Sequence, residues 1–506
     1  MVLGELSTLC ARRYPNKKAT VFNGVNKTFK EFNERVNSVV DSLRGLGVTP
    51  GDKVAVLSRN TPEVLEMLFA SAKAGAIYVP INFRLAPGEL RFVINDAEGI
   101  KVLFLGKDFQ GPIDKIQHDI QVPHIISIED EYEKMVSAGS PVEPPVVSKP
   151  EDIFAIFYTS GTTGGPKGVL LTHDNFLSAS INNVIAYKLG PHDVCLHVMP
   201  FYHTMEAGLV IAQFYVGGTN VIVQAFDGNG FWKMVQSEGI THLTLVYPML
   251  IDIINAFKTN RYKRGSFRNF SVGGQTTPVQ VLKDALETIG HESVFIVYGL
   301  TEASPLLTYL PKEDMRTEGD KTRLLSSIGK EMFNCHVRVV DDNDNDVKPG
   351  DMGEIIARGP VVMKEYWKRP KETEETLRGG WLRTGDVGTI DEEGYIYIVD
   401  RKKELIISGG ENISPHEVED VLYKHPVVRE CAVIGVPDDY WGEAVKAVVV
   451  LVPGQAITAG DLIKYCTEHI AKYKCPRSIE FVEALPKDPV GKIQKRLLRE
   501  QYGKKS

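Results

Sequence analysis

The chain has 506 residues, a formal net charge of −7, 43% hydrophobic residues and 24% charged residues. This is an ordinary soluble globular composition with material for more than one core, and its mild acidity offers no electrostatic footprint for nucleic acid or an anionic membrane. Six scattered cysteines without a CxxC pair predict reduced, mostly buried thiols, no disulfide framework and no zinc site.

Met1-Val2-Leu3-Gly4-Glu5-Leu6 carries an early acid and no long apolar core, so no secretory leader is predicted. No apolar run approaches the roughly 18 residues of a membrane span, and Lys504-Lys505-Ser506 is not a peroxisomal address. The expected location is the cytoplasm.

Thr28-Phe29-Lys30-Glu31 reads as a capping box. Phe29, Phe32, Val36, Val39, Leu43 and Leu46 then recur at helical spacing, which predicts an amphipathic helix over 28–46. Val54–Leu57 is a buried strand. Thr61-Pro62-Glu63 starts a helix, with Thr as N-cap, Pro at the first position and an acid in the first turn. Tyr78–Ile81 is the next strand. Strands alternating with helices predict a largely parallel α/β sheet. Residues 137–151 are rich in Ser, Pro and Gly and read as a surface connection.

Ile153–Phe157 and Val169–Leu171 are apolar runs of strand length flanking Tyr158-Thr159-Ser160-Gly161-Thr162-Thr163-Gly164-Gly165-Pro166-Lys167-Gly168. Glycine lets backbone N–H groups approach a ligand closely. Successive N–H groups in such a turn make an anion-binding nest. The hydroxyls add donors, and Lys167 adds a point charge suited to phosphate. A flexible linker would not be expected between two buried strands with one fixed Lys. The Walker A pattern fails too, because Pro166 precedes Lys167 and Gly168 follows it.

Downstream, a strand runs into Met199-Pro200-Phe201-Tyr202-His203-Thr204, placing His203 where strand ends in α/β folds carry sites. Glu206 is expected to point outward. Val246-Tyr247-Pro248 ends another strand. Val272-Gly273-Gly274-Gln275-Thr276-Thr277-Pro278 lies between a strand and a helix, and its paired glycines permit a ring to approach the backbone. Phe295–Tyr298 and Gly299-Leu300-Thr301-Glu302-Ala303 repeat the strand-then-loop pattern. Asp341 to Asp351 is not an EF-hand, since Gly is missing at the sixth position and Glu at the twelfth; it reads as a polar hairpin. Trp381-Leu382-Arg383-Thr384-Gly385-Asp386 offers a carboxylate on a tight turn. Tyr395–Val399 leads into Asp400-Arg401-Lys402-Lys403-Glu404, and Ser414-Pro415-His416-Glu417 reads as a capping box. Pro486-Lys487-Asp488-Pro489-Val490-Gly491-Lys492-Ile493-Gln494-Lys495 is the last motif.

These motifs, in this order and over nearly the whole chain, resemble the adenylate-forming superfamily, most closely its fatty and medium-chain acyl-CoA synthetases. The resemblance implies a large multi-sheet α/β domain, 1–400, and a small α+β domain, 401–506, joined by a hinge at Lys403. It implies that Thr159, Ser160, Gly161, Thr162, Thr163 and Lys167 hold ATP phosphates, with Gly274, Gln275, Tyr298 and Gly299 against adenine. Thr301 would meet the α-phosphate, Glu302 would hold Mg²⁺, and Asp386 and Arg401 would bind ribose. His203, Met205, Tyr247, Gln275 and Leu300 would line the acyl pocket, and Ser408, Gly409 and Gly410 the CoA tunnel. Gln275, Thr276 and the segment after His203 depart from the family, which leaves the acid open.

The implied activity is an AMP-forming carboxylic acid–CoA ligase. A carboxylate attacks the α-phosphate of Mg·ATP beside Lys492, where one ammonium neutralises charge growing in the transition state. The small domain then turns and CoA takes the acyl group. A fatty or medium-chain acid is the expected substrate, with ATP, Mg²⁺ and CoA as co-substrates and a homodimer as a possible assembly. A stand-alone enzyme loading a carrier protein is the alternative; with no carrier domain after Lys495 and no large insertion before residue 400, the sequence favours free CoA. A luciferase-like oxygenase has no feature in its favour. An idle ATP-binding scaffold would be expected to lack Lys492, Glu302 or Asp386.

Overall fold

The structure, a computed structural model, describes residues 1–159, 166–274, 277–290, 293–401, 404–408, 411–438, 441–487 and 493–503, with the backbone alone at 401, 411 and 412. The chain divides into two compact units, Met1–Val337 with Ala357–Leu382, and Arg338–Ile356 with Arg383–Ser506. By compactness, residues 338–356 and 383–400 thus group with the C-terminal portion.

Two mixed sheets build the first unit among the described residues. The nine-stranded sheet runs Lys330–Glu331, Thr308–Leu310, Val294–Tyr298, Asn269–Val272, His242–Leu245, Val194–His197, Thr219–Ile222, Lys18–Phe22, Val25–Thr28. Its inner pairings are parallel and its edges antiparallel. The seven-stranded sheet runs Glu365–Tyr366, Lys167–Thr172, Ile153–Thr159, Ile77–Pro80, Lys53–Leu57, Ile100–Leu105, His124–Ser127. Lys53–Leu57, His242–Leu245 and Asn269–Val272 are buried along their length and Ile153–Thr159 through its middle, which is why they read as apolar runs rather than as alternating patterns.

The capping box at Thr28 forms as expected. Thr28 Oγ1 accepts from Glu31 N–H at 3.2 Å, and Glu31 Oε2 accepts from Thr28 N–H at 2.7 Å. The helix Phe29–Gly45 then buries Phe29, Phe32, Val36, Val39 and Leu43. Phe29, Phe32 and Phe69 all meet Phe214, with ring centroids 4.3 to 5.6 Å apart. At roughly 2–3 kcal/mol per buried ring, these contacts fasten the helix Thr204–Val216, whose N-cap is His203. Pro62–Ala74 forms with Pro at its start and Thr61 as N-cap, although the Thr61 hydroxyl makes no capping bond.

One boundary differs from the sequence reading. Tyr247 and Pro248 do not end a strand. The strand His242–Leu245 stops before them, and they open the helix Tyr247–Asn260, where proline's missing N–H costs nothing.

Most of a four-stranded sheet, His336–Val340, Gly353–Arg358, Leu382–Ile390, Ile396–Arg401, falls in the second unit, with a second sheet around the long hairpin Val428–Asp438 and Gly442–Leu451. Asp341 Oδ1 accepts from the N–H groups of Asn343 and Asn345, each at 2.9 Å, closing the polar hairpin. Ser414 caps the helix Pro415–Tyr423 through its hydroxyl. Glu417, however, does not return to the Ser414 N–H. It pairs with Lys474 at 2.7 Å, so only half the capping box forms. All six cysteines are free and buried. No helix among the described residues is long and apolar enough to cross a membrane.

Candidate active site

The glycine-rich loop rises from an antiparallel pair, and Thr159 and Lys167 are its last register partners. The Thr159 hydroxyl donates to the Lys167 carbonyl at 3.5 Å. Residues Ser160 to Gly165 lie outside the described residues. The strand Lys167–Thr172 also pairs with Glu365–Tyr366, setting Tyr366 opposite Val169. That register brings the Tyr366 ring beside Lys167, whose Nζ lies 5.2 Å from the ring centroid, a cation–π distance.

The Tyr366 hydroxyl donates to Glu302 Oε1 at 2.7 Å, and Met363 N–H donates to the Glu302 carbonyl at 2.8 Å. Glu302 is held at both its backbone and one carboxylate oxygen, which leaves Oε2 for another partner. Lys167, Tyr366 and Glu302 therefore form one connected group. Tyr366-Trp367 continues the family pattern in the sequence, and the strand register is what shows how Tyr366 acts.

Glu302 follows the strand Val294–Tyr298 in a 3-10 turn, Thr301–Ala303. Gly299 lies between them, and a Cβ there would sit 1.8 Å from the Pro305 carbonyl oxygen. Tyr298 is buried at the strand end, and its carbonyl accepts from Leu307 N–H at 2.9 Å. Leu300 stands between Gly299 and Thr301 in this turn and is partly exposed. A single Mg²⁺ bound mainly by nucleotide phosphates needs a protein carboxylate of this kind, and the half-committed Glu302 fits that need.

Gly274, at φ +79°, turns the chain after the strand Asn269–Val272. Gln275 and Thr276 lie outside the described residues. A Cβ on Gly273 would meet Val297 Cγ2 at 2.8 Å and Met205 Cε at 3.1 Å. Met205 therefore packs against the glycine turn. Tyr247 opens the neighbouring helix.

His203 Nε2 is buried and meets no partner among the described residues. Burial first, and the charge of Arg84 second, push its pKa down to about 4. At neutral pH it is an uncharged imidazole with an unspent nitrogen, suited to hydrogen bonding rather than to charge pairing.

Glu206 does not point outward. It is fully buried, and its Oε1 lies 2.6 Å from His197 Nδ1. Asn220 donates its amide to the Ala19 carbonyl at 3.0 Å, so its Oδ1 faces His197 Nε2 at 2.9 Å and must accept there. Nε2 therefore carries a proton, and a second proton is shared between Nδ1 and Glu206. Burial drives the Glu206 pKa up while His197 opposes it. Either way the pair is electrically neutral overall, which is how a carboxyl is tolerated there.

In the second unit Asp386 is buried, and its register partner on the neighbouring strand is Arg401. The two residues expected at ribose are thus cross-strand neighbours. Gly385 has φ +70°, and Asp386 N–H donates to Thr384 Oγ1 at 3.1 Å. Ser408 is buried on the strand Ile406–Ser408. Lys403, Gly409, Gly410 and Lys492 lie outside the described residues. The lysine loop is nonetheless fixed at both ends. Lys487 and Ile493 form a β-bridge, and Lys495 pairs with buried Glu419 at 2.8 Å. Burial works against the Lys495 ammonium, but the Glu419 and Asp400 carboxylates outweigh it and hold its pKa above the ordinary lysine value.

Fold and geometry together define a two-unit α/β protein whose first unit sets the base of a glycine-rich loop beside a carboxylate. The AMP-binding enzyme family matches residues 8–367, and the AMP-binding enzyme C-terminal domain matches 417–492. Among characterised proteins, a feruloyl-CoA synthase of an Amycolatopsis species is 37% identical over 99% of both chains. A long-chain-fatty-acid–CoA ligase of Mycobacterium tuberculosis is 35% identical over 94% of this chain and 93% of that one. Among solved structures, the o-succinylbenzoate CoA synthetase of Bacillus subtilis with its acyl-adenylate aligns with TM-score 0.89 and 30% identity over 98% of each chain. The chain belongs to the AMP-binding enzyme family.

Proposed function

We propose that this protein is an ATP-dependent carboxylic acid–CoA ligase that works through an acyl-adenylate, releases AMP and pyrophosphate, and acts on a fatty or medium-length acid. The observation that carries the reading is the connected group Lys167, Tyr366 and Glu302 at the base of the glycine-rich loop. It sets an ammonium for phosphate beside a carboxylate for the metal that accompanies ATP. A bound Mg²⁺ would supply charge neutralisation on the phosphates. Thr159, Ser160, Gly161, Thr162, Thr163 and Lys167 would grip the phosphates, and Thr301 the α-phosphate. Gly274, Gln275, Tyr298 and Gly299 would face adenine, and Asp386 and Arg401 ribose. Neutral His203 would hydrogen-bond the substrate carboxyl group.

In the first half-reaction a carboxylate oxygen attacks the α-phosphorus and pyrophosphate leaves, with Lys492 stabilising the growing negative charge. In the second, the thiol sulfur of CoA attacks the acyl carbon and AMP leaves. A turn about Lys403, with a domain boundary at 400/401, would exchange Lys492 for Ser408, Gly409 and Gly410 between the two steps. A cytoplasmic location and a homodimer accord with this reading.

The test is to separate the half-reactions. Lys492→Ala should abolish acyl-AMP formation and largely spare thioester formation from supplied acyl-AMP. Lys403→Pro should slow the second step far more than the first. Equal loss of both half-reactions in Lys492→Ala would overturn its assignment.

A further inference from the structure

A line of buried hydroxyls runs through the nine-stranded sheet and stops at the acyl-pocket candidate Met205. Tyr187, Ser271 and Thr244 are each no more than 3% exposed. The Tyr187 hydroxyl meets Ser271 Oγ, and Ser271 Oγ lies 2.9 Å from Thr244 Oγ1. The Thr244 hydroxyl in turn lies 3.2 Å from Met205 Sδ. Each hydroxyl offers one proton. When Tyr187 donates to Ser271 and Ser271 to Thr244, the Thr244 proton is left for the sulfur. A thioether is a weak acceptor, so the last proton of the line is spent on its weakest acceptor.

Tyr187, at the far end of the line, is anchored. Asn269 donates its amide to the Tyr187 carbonyl at 2.9 Å, Lys312 holds the Asn269 oxygen at 2.9 Å, and Tyr187 packs edge-on against Phe295 at 4.6 Å. Met205 is the adaptable member. It is unbranched and has three rotatable bonds, and its Cε lies at the Gly273 turn. An apolar acyl pocket has no use for a buried donor at its wall, because replacing both partners by apolar groups of the same shape is nearly neutral.

We propose that Thr244 is a specificity-determining residue whose hydroxyl takes, in place of the Met205 sulfur, a hydrogen-bond-accepting oxygen on the acyl group. The acids selected are those carrying a hydroxyl, methoxy or keto oxygen on the portion that reaches Met205. This inference rests on the ligase reading above and narrows its substrate class. Discrimination follows from cost asymmetry, since a site built around a donor rejects the analogue that leaves the donor poorly satisfied.

The experiment measures AMP release with Mg·ATP and CoA for matched acids: phenylpropenoic acid against its 4-hydroxy and 4-methoxy derivatives, and heptanoic acid against 6-oxoheptanoic acid. The wild-type enzyme should favour the oxygenated member of at least one pair by about tenfold or more in kcat/KM. Thr244→Val should collapse that ratio about tenfold, and Thr244→Ser, which keeps the hydroxyl, should restore most of it. Ser271→Ala, one bond upstream, should lower the ratio less. An equal preference within every pair in the wild type, or a ratio untouched by Thr244→Val, overturns the inference while leaving the ligase reading in place. No AMP release with any acid, on a panel that includes simple fatty acids, overturns the ligase reading itself and the inference with it.

Discussion

The Tyr366 hydroxyl donates to Glu302 Oε1 at 2.7 Å while the same ring carries Lys167 on its face at 5.2 Å. One tyrosine thus orients the carboxylate and seats the ammonium. Tyr366→Phe removes the first role and keeps the second. A hydrogen bond to a charged group contributes about 1.5–3 kcal/mol. The apparent Mg²⁺ requirement of pyrophosphate exchange should therefore rise roughly tenfold, with little change in thermal stability. An unchanged Mg²⁺ titration would show that Glu302 does not need Tyr366.

Gly299 admits no side chain. An added Cβ would lie 1.8 Å from the Pro305 carbonyl oxygen, which is backbone and cannot swing aside. Gly299→Ala must displace the turn that carries Thr301 and Glu302. Adenylation should fall by more than about a hundredfold, as expected for a misplacement on the order of 1 Å. Gly111→Ala, whose Cβ meets nothing within 4 Å, serves as the control. Comparable kinetics for the two variants would contradict the placement of the turn.

The neutral pair of Glu206 and His197 fastens the first turn of the helix Thr204–Val216 to the sheet. Glu206→Gln can still donate to His197 Nδ1 and should cost less than about 1 kcal/mol. Glu206→Ala leaves a void and an unpartnered ring nitrogen, and should cost about 2–4 kcal/mol. Urea unfolding of the two variants checks the difference. Equal losses would mean that the hydrogen bond contributes nothing.

The strand and turn framework was legible because its signals are local. The apolar runs at Ile153 and Phe295, the capping box at Thr28 and the glycine turn at Gly274 all form where the sequence places them. Tyr366 and Glu206 were not legible as site-shaping residues. Tyr366 acts through a cross-strand register with Val169 and a reach of 64 residues to Glu302. Sequence alone places Glu206 outward, because a lone acid near an apolar pocket is costly to bury. Its partner His197 lies nine residues away on another element, and nothing in the local pattern links them. Glu417 shows the same limit. A cap motif predicted one partner, and Lys474, distant in sequence, supplied another.

Three histidines of the first unit make the fold acid-sensitive. Burial pushes His173 and His203 down to about 4 and His242 to about 3. They stay neutral in the native state, while the unfolded chain takes up protons below about 6.5. The unfolded state then binds more protons, so stability falls as pH drops from about 6.5 to about 4. Glu143 adds a second, lower window. Burial opposes its ionisation, but Lys73, Thr8 and Asn33 outweigh that and hold it at about 2. Its contribution is present above about 4.5 and is lost as pH falls toward 2. Urea midpoints measured from pH 7 to 4 should decline steadily, and His173→Gln should flatten the slope by about one proton. A flat profile would contradict the buried neutral histidines.

Glu419 and Lys495 tie the base of the lysine loop to the core of the second unit at 2.8 Å. Glu419→Ala strands a buried ammonium and should cost about 3–5 kcal/mol. In preparations still folded at low temperature, acyl-AMP formation should fall more than thioester formation from supplied acyl-AMP. Equal effects on the two steps would detach this ion pair from the placement of Lys492.

The most direct test of the account is AMP release from Mg·ATP across a panel of carboxylic acids, with and without CoA. Turnover should require both an acid and CoA, with pyrophosphate exchange surviving when CoA is omitted. Pyrophosphate exchange that CoA never converts into turnover would contradict the CoA ligase and point to a carrier protein as acceptor. No nucleotide consumption with any acid would contradict adenylation itself.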